Sequence, residues 1–398
     1  LAEVPTSFIP SKSGMPINSE GNWRKTGGGF AGDQDAQAWG SRRILYARFQ
    51  QHLGLPTMTQ LSISMPSNRN LQNARAAIET ALIYAEKADC RLIVSDNSGD
   101  AAKRAYFENR SDRLTYVVPE GDDPAVNMLN ALSHVETPFV MPMGDDDEIY
   151  LLDGIQRISL VDLPKDTIGI RPRSYAWSAT QGVQQVDRFT LTADDAGTRV
   201  LEYNAKARGN NSTYYSSYRT DVFRGLATLF QKAHPTRGGY CDWALSFAFA
   251  AAGKFAYDPA TIYRYDLGSW TGREGVEASK ARLFRQAGLP EEAEKFSPLL
   301  RFVDTHVFLM WAGLRLSEQE RQGAQMSNAR LALGTFIKDV GETPHNYGEE
   351  VVYLTKLIQE TPDVASAFQI ALLVLDRLLP GLSARYVDFY NSSINAAA

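Results

Sequence analysis

Between residues 61 and 143 the chain carries four short apolar runs, with a segment of helical period between each pair. The runs are 61–65, 90–94, 114–118 and 139–143; the intervening segments are 74–88, 101–109 and 125–135. An apolar run too short for a helix and bounded by turn-forming residues reads as a buried strand. Strands separated by helices cannot close as hairpins, so the economical outcome is an α/β fold: a mostly parallel sheet with helices on both faces. Right-handed crossovers then bring the carboxyl ends of the strands to one rim, where ligands of open α/β sheets bind. The turn at the end of each strand is therefore the place to seek chemistry. After the first strand comes Pro66-Ser67-Asn68-Arg69-Asn70, after the second Ser95-Asp96-Asn97-Ser98-Gly99-Asp100, and after the fourth Gly144-Asp145-Asp146-Asp147-Glu148. Asn68, Asp96 and the Asp145 cluster are expected to converge on one crevice.

Four adjacent carboxylates repel one another and need water or a cation at neutral pH. Hard oxygen ligands just past a buried strand suit Mg2+ or Mn2+, while the plainer reading is a solvated acidic turn. Further on, Asp242 follows Gly238-Gly239 and heads a very apolar segment. There the helix dipole and the free first-turn amides favour a carboxylate, so an N-cap is the structural reading. The stretch 209–219 is crowded with Asn, Ser and Tyr, including Tyr215 and Tyr218. Such side chains suit sugar hydroxyls and ring faces, or else belong to a sheet-edge loop whose tyrosines pack. Trp270 is open to the same two readings, stacking on a ring or filling a core.

This ordered set resembles the inverting glycosyltransferases of family 2, which have the GT-A fold. The likeness covers roughly residues 60 to 270 and rests on Pro66-Ser67-Asn68-Arg69, Val94-Ser95-Asp96-Asn97-Ser98-Gly99-Asp100, an Asn-bearing helix with Asn127 and Asn130, and Met143-Gly144-Asp145-Asp146-Asp147. Asp242 follows, and after it Gly253, Pro259, Tyr263 and Arg264 in the family's order. Cys241 departs from the pattern, since the family often has an acid there. The resemblance implies donor binding by Pro66, Asn68, Arg69, Asp96, Asn127, Asp145 and Asp146. It further implies Mn2+ or Mg2+ held by Asp145 and Asp147, with Asp242 as general base. Tyr215, Tyr218 and Trp270 are expected at the acceptor or in a lid. The implied reaction is metal-dependent, inverting transfer of a sugar from a nucleotide-sugar, a UDP-sugar first, to a glycan or lipid-linked acceptor in surface polysaccharide synthesis. The competing reading is a catalytically inert module of the same fold that binds nucleotide or glycan as a scaffold. A sugar-phosphate nucleotidyltransferase is disfavoured, because such enzymes carry a Gly-rich turn with Arg and Lys after the first strand, and Pro66-Ser67-Asn68-Arg69-Asn70 is not one.

The chain has 398 residues, enough for a catalytic domain and one or two smaller units. Three parts are expected: an arm and helix over 1–58 (with the helix at 34–53), the GT-A domain over 59–273, and a helical domain over 274–398. In the last, helices are expected at 276–286, 291–295, 299–316, 319–340, 349–360 and 362–379, with a face for an acceptor, a second copy or a membrane surface. The stretch 152–191 reads as a helix start followed by strands, and 192–199 as a polar linker. A net charge of -5 argues against nucleic acid as a partner. Two cysteines, Cys90 and Cys241, make neither a disulfide framework nor a thiolate zinc site. That fits a cytoplasmic protein, with peripheral contact at the inner membrane face as a further expectation. The longest apolar stretch, 365–382, is interrupted by Gln369, Asp376 and Arg377, so no spanning segment is expected. The sequence starts at Leu1, which fits a trimmed chain or a segment of a longer one. His306 and His345 lack partners at metal spacing and are expected to be structural.

Overall fold

The four apolar runs form strands β1 (Leu61–Ser67), β2 (Arg91–Asp96), β3 (Leu114–Val117) and β4 (Phe139–Pro142). The helices between them are α1 (Leu71–Lys87), α2 (Ala101–Phe107) and α3 (Pro124–Ser133). The computed structural model describes residues 59–268 and 270–396. The expected arm and the helix at 34–53 lie outside the described residues. From Thr59 onward the chain forms one compact unit.

Strands β1 to β4 pair in parallel in the order β3-β2-β1-β4. The sheet continues through β8 (Ser217–Arg219), antiparallel to both β4 and β6 (Thr167–Ser178). Strand β9 (Lys254–Asp266) pairs in parallel with β6, and β5 (Glu148–Leu151) runs antiparallel to β9. Strand β7 (Gly182–Asp187) forms a hairpin with β6. This is the α/β arrangement implied by the sequence. Successive strand residues point to opposite faces, and the buried side chains sort accordingly. Ile63, Met65, Leu92, Val94, Phe139 and Met141 meet the apolar face of α1 in one core. Ile93 and Val140 point the other way, into a core shared with Ala131 and Leu132 of α3 and with the C-terminal helices.

That second core is the larger, and it draws in segments that the sequence pattern leaves outside. Only 192–195 of the expected linker 192–199 connect; 196–199 are the first turn of α4 (Ala196–Ala207), capped by Asp195, whose Oδ1 accepts from Thr198 N at 2.8 Å. Arg199 makes the stretch look exposed, yet it is only 4% exposed. Its guanidinium donates to the carbonyls of Ala250 (3.0 Å) and Ala251 (2.6 Å). These lie in the last turn of α6 (Asp242–Ala252), so Arg199 satisfies carbonyls that a helix end leaves free. Helix α5 (Thr220–Ala233) lies between α4 and α6 in sequence. Residues 152–166 form turns and coil rather than the start of a helix, and the expected strands follow as β6 and β7.

The C-terminal part is helical: α7 (Gly272–Gln286), α8 (Ser297–Leu309), α9 (Glu318–Asn328), α10 (Gly334–Glu342), α11 (Glu349–Glu360), α12 (Val364–Leu378) and α13 (Leu382–Asn395). A π-turn, Ala329–Leu333, joins α9 to α10 where the sequence reads as one long helix. The expected helix at 299–316 ends earlier, at Leu309, and α13 is an additional element. Helices α4 and α9 meet closely at two glycines; a Cβ on Gly197 would sit 2.7 Å from Gly323 O. His306 stacks on Phe368 with ring centroids 4.2 Å apart, and burial pushes its pKa down to about 4. Among the described residues, no helix is long and apolar enough to cross a membrane.

Candidate active site

The turns after β1, β2 and β4 do converge, through a buried chain of charged bonds. Asp145, 8% exposed, accepts at Oδ2 from Ser67 Oγ (2.7 Å), Asn68 N (3.1 Å) and Arg69 N (3.1 Å), and at Oδ1 from Arg69 Nε (3.1 Å). Lys103, on α2, is fully buried and donates to Ser67 Oγ (2.6 Å), to Arg69 O (2.8 Å) and to Asp96 Oδ1 (2.8 Å). Asp96 also accepts from Ser98 N at 3.0 Å and, at Oδ2, from the Tyr116 hydroxyl. Charge-assisted bonds of this kind are shorter and stronger than neutral ones. Asp145 and Asp96, expected as ligands of metal and donor, thus commit their oxygens to holding the rim together. Lys103 went unmarked in the sequence, because a lysine in the first turn of a helix normally points to solvent.

Asp146 and Asp147 occupy a different environment. Asp146 pairs with Arg69 Nη2 at 2.5 Å, and burial raises its pKa. Asp147, 1% exposed, accepts from Tyr263 Oη (2.6 Å) and Asp266 N (2.9 Å). Burial, reinforced by the Asp146 charge, pushes its pKa up to about 7. Asp146 Oδ1 and Asp147 Oδ2 both lie within 2.9 Å of the point where a Cβ on Gly144 would stand. A side chain at 144 would have to displace them, and the two carboxylate oxygens share a small space. Asp266, absent from the sequence-derived set, adds a third negative charge to both. Hard oxygen donors held this way fit a divalent cation.

Two cavities open beside this rim. The smaller, about 470 Å3, is lined by Pro66, Asn68, Asn97, Asp123, Asn127 and Arg237, among others. Asn127, 3% exposed, donates to Ser67 O (3.1 Å) and Asn97 Oδ1 (3.0 Å), and its own Oδ1 has no hydrogen-bond partner. Three of the expected donor residues, Pro66, Asn68 and Asn127, thus share one wall. The larger cavity, about 750 Å3, is lined by Asp242, Asn211, Tyr265 and Trp270, and by residues of the C-terminal helices. Asp242 opens α6, and burial pushes its pKa up to about 6 against the opposing pull of the Asn211 side chain. The Asn211 carbonyl is already taken by Tyr203 and Ser246, both at 2.7 Å. Tyr265 joins the two acidic groups, for its pKa is raised first by burial and then by both Asp242 and Asp147. Its ring lies 5.4 Å from that of Tyr215, which in turn stacks on Tyr263 at 4.9 Å.

Of the residues expected at the acceptor, Trp270 lines the large cavity and Tyr215 packs beneath the acidic turn. Tyr218 does not belong with them. It is fully buried against Phe223 and Phe249, and its hydroxyl donates to Thr213 O at 2.5 Å. The Asn/Ser/Tyr pattern also marked residues that solvate a buried arginine: Arg171 bonds Thr213 and Ser212 and lies over the Phe189 ring at 3.7 Å.

The loop between α5 and α6 separates the cavities, with Arg237 on one side and Tyr240 on the other. It is pinned by His234, Cys241 and Asp304, whose ligand atoms lie within 4.8 Å of one another. His234 Nδ1 accepts from the backbone N–H groups of Thr236 (3.2 Å) and Arg237 (3.0 Å). Its proton is therefore on Nε2, donated to Asp304 Oδ1 at 2.9 Å, with the Tyr386 hydroxyl on the same oxygen at 2.8 Å. An imidazole bound to a cation through Nε2 would carry its proton on Nδ1. The hydrogen-bond pattern accordingly fits a structural lock better than a metal site, and Cys241, where the resemblance favours an acid, is part of it.

The rim and its cavities define an α/β protein with a partly buried acidic turn at the strand ends and a second carboxylate beyond a tyrosine cluster. The sequence matches no family model, and no curated protein matches it. Solved structures similar to it include S. aureus TarS 1-349, at 13% identity and a TM-score of 0.44, covering 84% of this chain and 90% of that one. The mannosyltransferase PcManGT from Pyrobaculum calidifontis in complex with GDP-Man and Mn2+ is similar at 12% identity and a TM-score of 0.39, covering 91% of this chain and 96% of that one. TarS 1-349 in complex with UDP-GlcNAc is similar at 14% identity and a TM-score of 0.35, with 84% and 90% covered. Likenesses this distant assign no role to any residue.

Proposed function

We propose that the chain is a glycosyltransferase that moves a sugar from a nucleotide-sugar, UDP-linked by preference, to a glycan or lipid-linked acceptor with inversion. The observation that carries this is a cation-ready turn linked through Tyr263, Tyr215 and Tyr265 to the cavity that Tyr265 and the carboxylate of Asp242 line. Pro66, Asn68 and Asn127, which line the smaller cavity together, hold the nucleoside. Asp146 and Asp147 hold Mn2+ or Mg2+, which when bound supplies positive charge for the leaving diphosphate. Asp145, Arg69, Asp96 and Lys103 keep that turn in place. Asp242 takes the proton of the attacking acceptor hydroxyl, a task suited to a carboxyl whose pKa lies near the working pH. Attack from the face opposite the leaving group inverts the anomeric centre.

The test is Asp242→Asn. Transfer should be abolished while nucleotide-sugar binding, read as a thermal shift with and without Mn2+, survives. Wild-type transfer by that variant removes Asp242 from the mechanism. The scaffold reading draws on the internal commitment of the Asp96 and Asp145 oxygens; donor binding with no turnover across acceptors would favour it.

A further inference from the structure

The large cavity is walled on one side by Asp242 and Tyr265 and on the other by the C-terminal helices, which bring Lys280, Lys295, Asp339, Glu342 and Tyr347 to it. Its volume, about 750 Å3, lies within the range of about 300–1,000 Å3 typical of small-molecule sites. The lining combines three features. Aromatic side chains, among them Trp243, Trp270 and Tyr347, offer flat faces. Carboxylates outnumber cations: Asp242, Glu294, Asp339 and Glu342 against Lys280 and Lys295. Both lysines are already engaged, Lys280 with Glu294 at 3.4 Å and Lys295 with Asn346 O at 3.4 Å. Even with Lys338, which pairs with Glu342 at 3.7 Å from outside the lining, the balance stays negative.

We infer that this cavity is the acceptor site, that the C-terminal helices build half of it, and that its acceptor is an uncharged glycan. The inference rests on the glycosyltransferase reading and extends it to a substrate class. Sugar rings carry apolar faces that stack on aromatic rings and hydroxyls that donate to carboxylates. A phosphate-bearing chain would meet a surplus of negative charge, four carboxylates against two ammonium groups among the described lining residues. A lipid would meet too many carboxylates. The cavity is also larger than one ring needs, so the site suits an oligosaccharide.

The experiment uses the full chain on an array of neutral oligosaccharides, of the same glycans carrying phosphate monoesters or carboxylates, and of isoprenoid-linked sugars. Hits are carried into acceptor kinetics with the donor that binds. Neutral glycans should be bound and extended, and their phosphorylated counterparts should be at least roughly tenfold poorer in kcat/KM, a gap that narrows with salt. Tyr347→Ala and the double variant Asp339→Asn/Glu342→Gln should raise the acceptor KM, and the double variant should narrow the discrimination against phosphate. Equal or better use of phosphorylated or lipid-linked acceptors overturns the inference. So does an array with no bound glycan, or a Tyr347→Ala variant with unchanged acceptor KM. Failure of every nucleotide-sugar to shift the melting temperature instead overturns the glycosyltransferase reading. Donor binding with no use of neutral acceptors overturns only the acceptor class.

Discussion

Lys103 is the side chain on which the rim depends, and Lys103→Met tests that dependence. Its ammonium group is fully buried and makes three bonds: to Asp96 Oδ1 at 2.8 Å, to Ser67 Oγ at 2.6 Å and to Arg69 O at 2.8 Å. Methionine keeps much of the volume and removes all three. The Asp96 carboxylate, 4% exposed, then loses its only cation among the described residues while retaining Ser98 N and the Tyr116 hydroxyl. Stripping one partner from a buried ion pair costs about 3–5 kcal/mol, because the remaining charge stays buried and uncompensated. Asp96→Asn removes the complementary charge and should cost a similar amount. The double variant should fall short of the sum, with a coupling on the order of 2 kcal/mol, since neither half is left charged. Urea unfolding of all four proteins measures this directly. A loss below about 1 kcal/mol for Lys103→Met, or strict additivity, would show that the network is not what holds the three strand ends together. If the network does set the rim, Lys103→Met should also weaken nucleotide-sugar binding, although Lys103 lines neither cavity.

The acidic groups make further predictions. Transfer should rise with pH along a limb near 6, because the base role proposed for Asp242 requires the carboxylate and burial pushes its pKa up to about 6; a rate flat from about pH 5 to 8 counts against that role. Asp147 has a folded pKa raised to about 7, so the stability linked to it is full below the ordinary carboxylate pKa and is lost as pH rises through about 7. In chelator, Asp147→Asn should therefore gain stability relative to wild type between about pH 4 and pH 8, by up to a few kcal/mol on the order of the shift, and Mn2+ should shrink that gain by stabilising wild type; a difference independent of pH refutes the burial argument. Gly169→Ala would set a Cβ 2.3 Å from Phe255 Cε1, and Phe255 is 1% exposed, so overpacking should cost about 1–3 kcal/mol in unfolding measurements.

The parallel half of the sheet could be read from the chain because its code is local. A strand buried on both faces must be apolar along its length, and each turn must carry polar residues where the strand runs out, so β1 to β4 and their rim stood out as a pattern. The convergence of Asn68, Asp96 and Asp145 then followed from chain crossing alone. What the pattern could not convey is the direction of a charged side chain. Lys103, Arg171 and Arg199 are all buried, yet each reads as surface in a periodicity argument, because periodicity treats charge as solvent-facing. Each is buried for the same reason: it satisfies acceptors that the fold has trapped, namely Asp96 and a strand-end carbonyl for Lys103, hydroxyls of 212–213 for Arg171, and the last carbonyls of α6 for Arg199. Apart from Asp96, seven positions from Lys103, those acceptors lie 34 to 52 positions away in sequence, so no local window holds both halves of those bonds. The same logic separates Asp145 from Asp146 and Asp147. Three identical residues in a row cannot be ranked by composition; only their partners separate Asp145, tied to the β1 turn, from Asp146 on the Arg69 guanidinium and Asp147 on Tyr263 and Asp266 N. Asp242 differs from all three: burial raises its pKa, and what opposes the shift is the Asn211 side chain and the Trp243 backbone N–H rather than a cation.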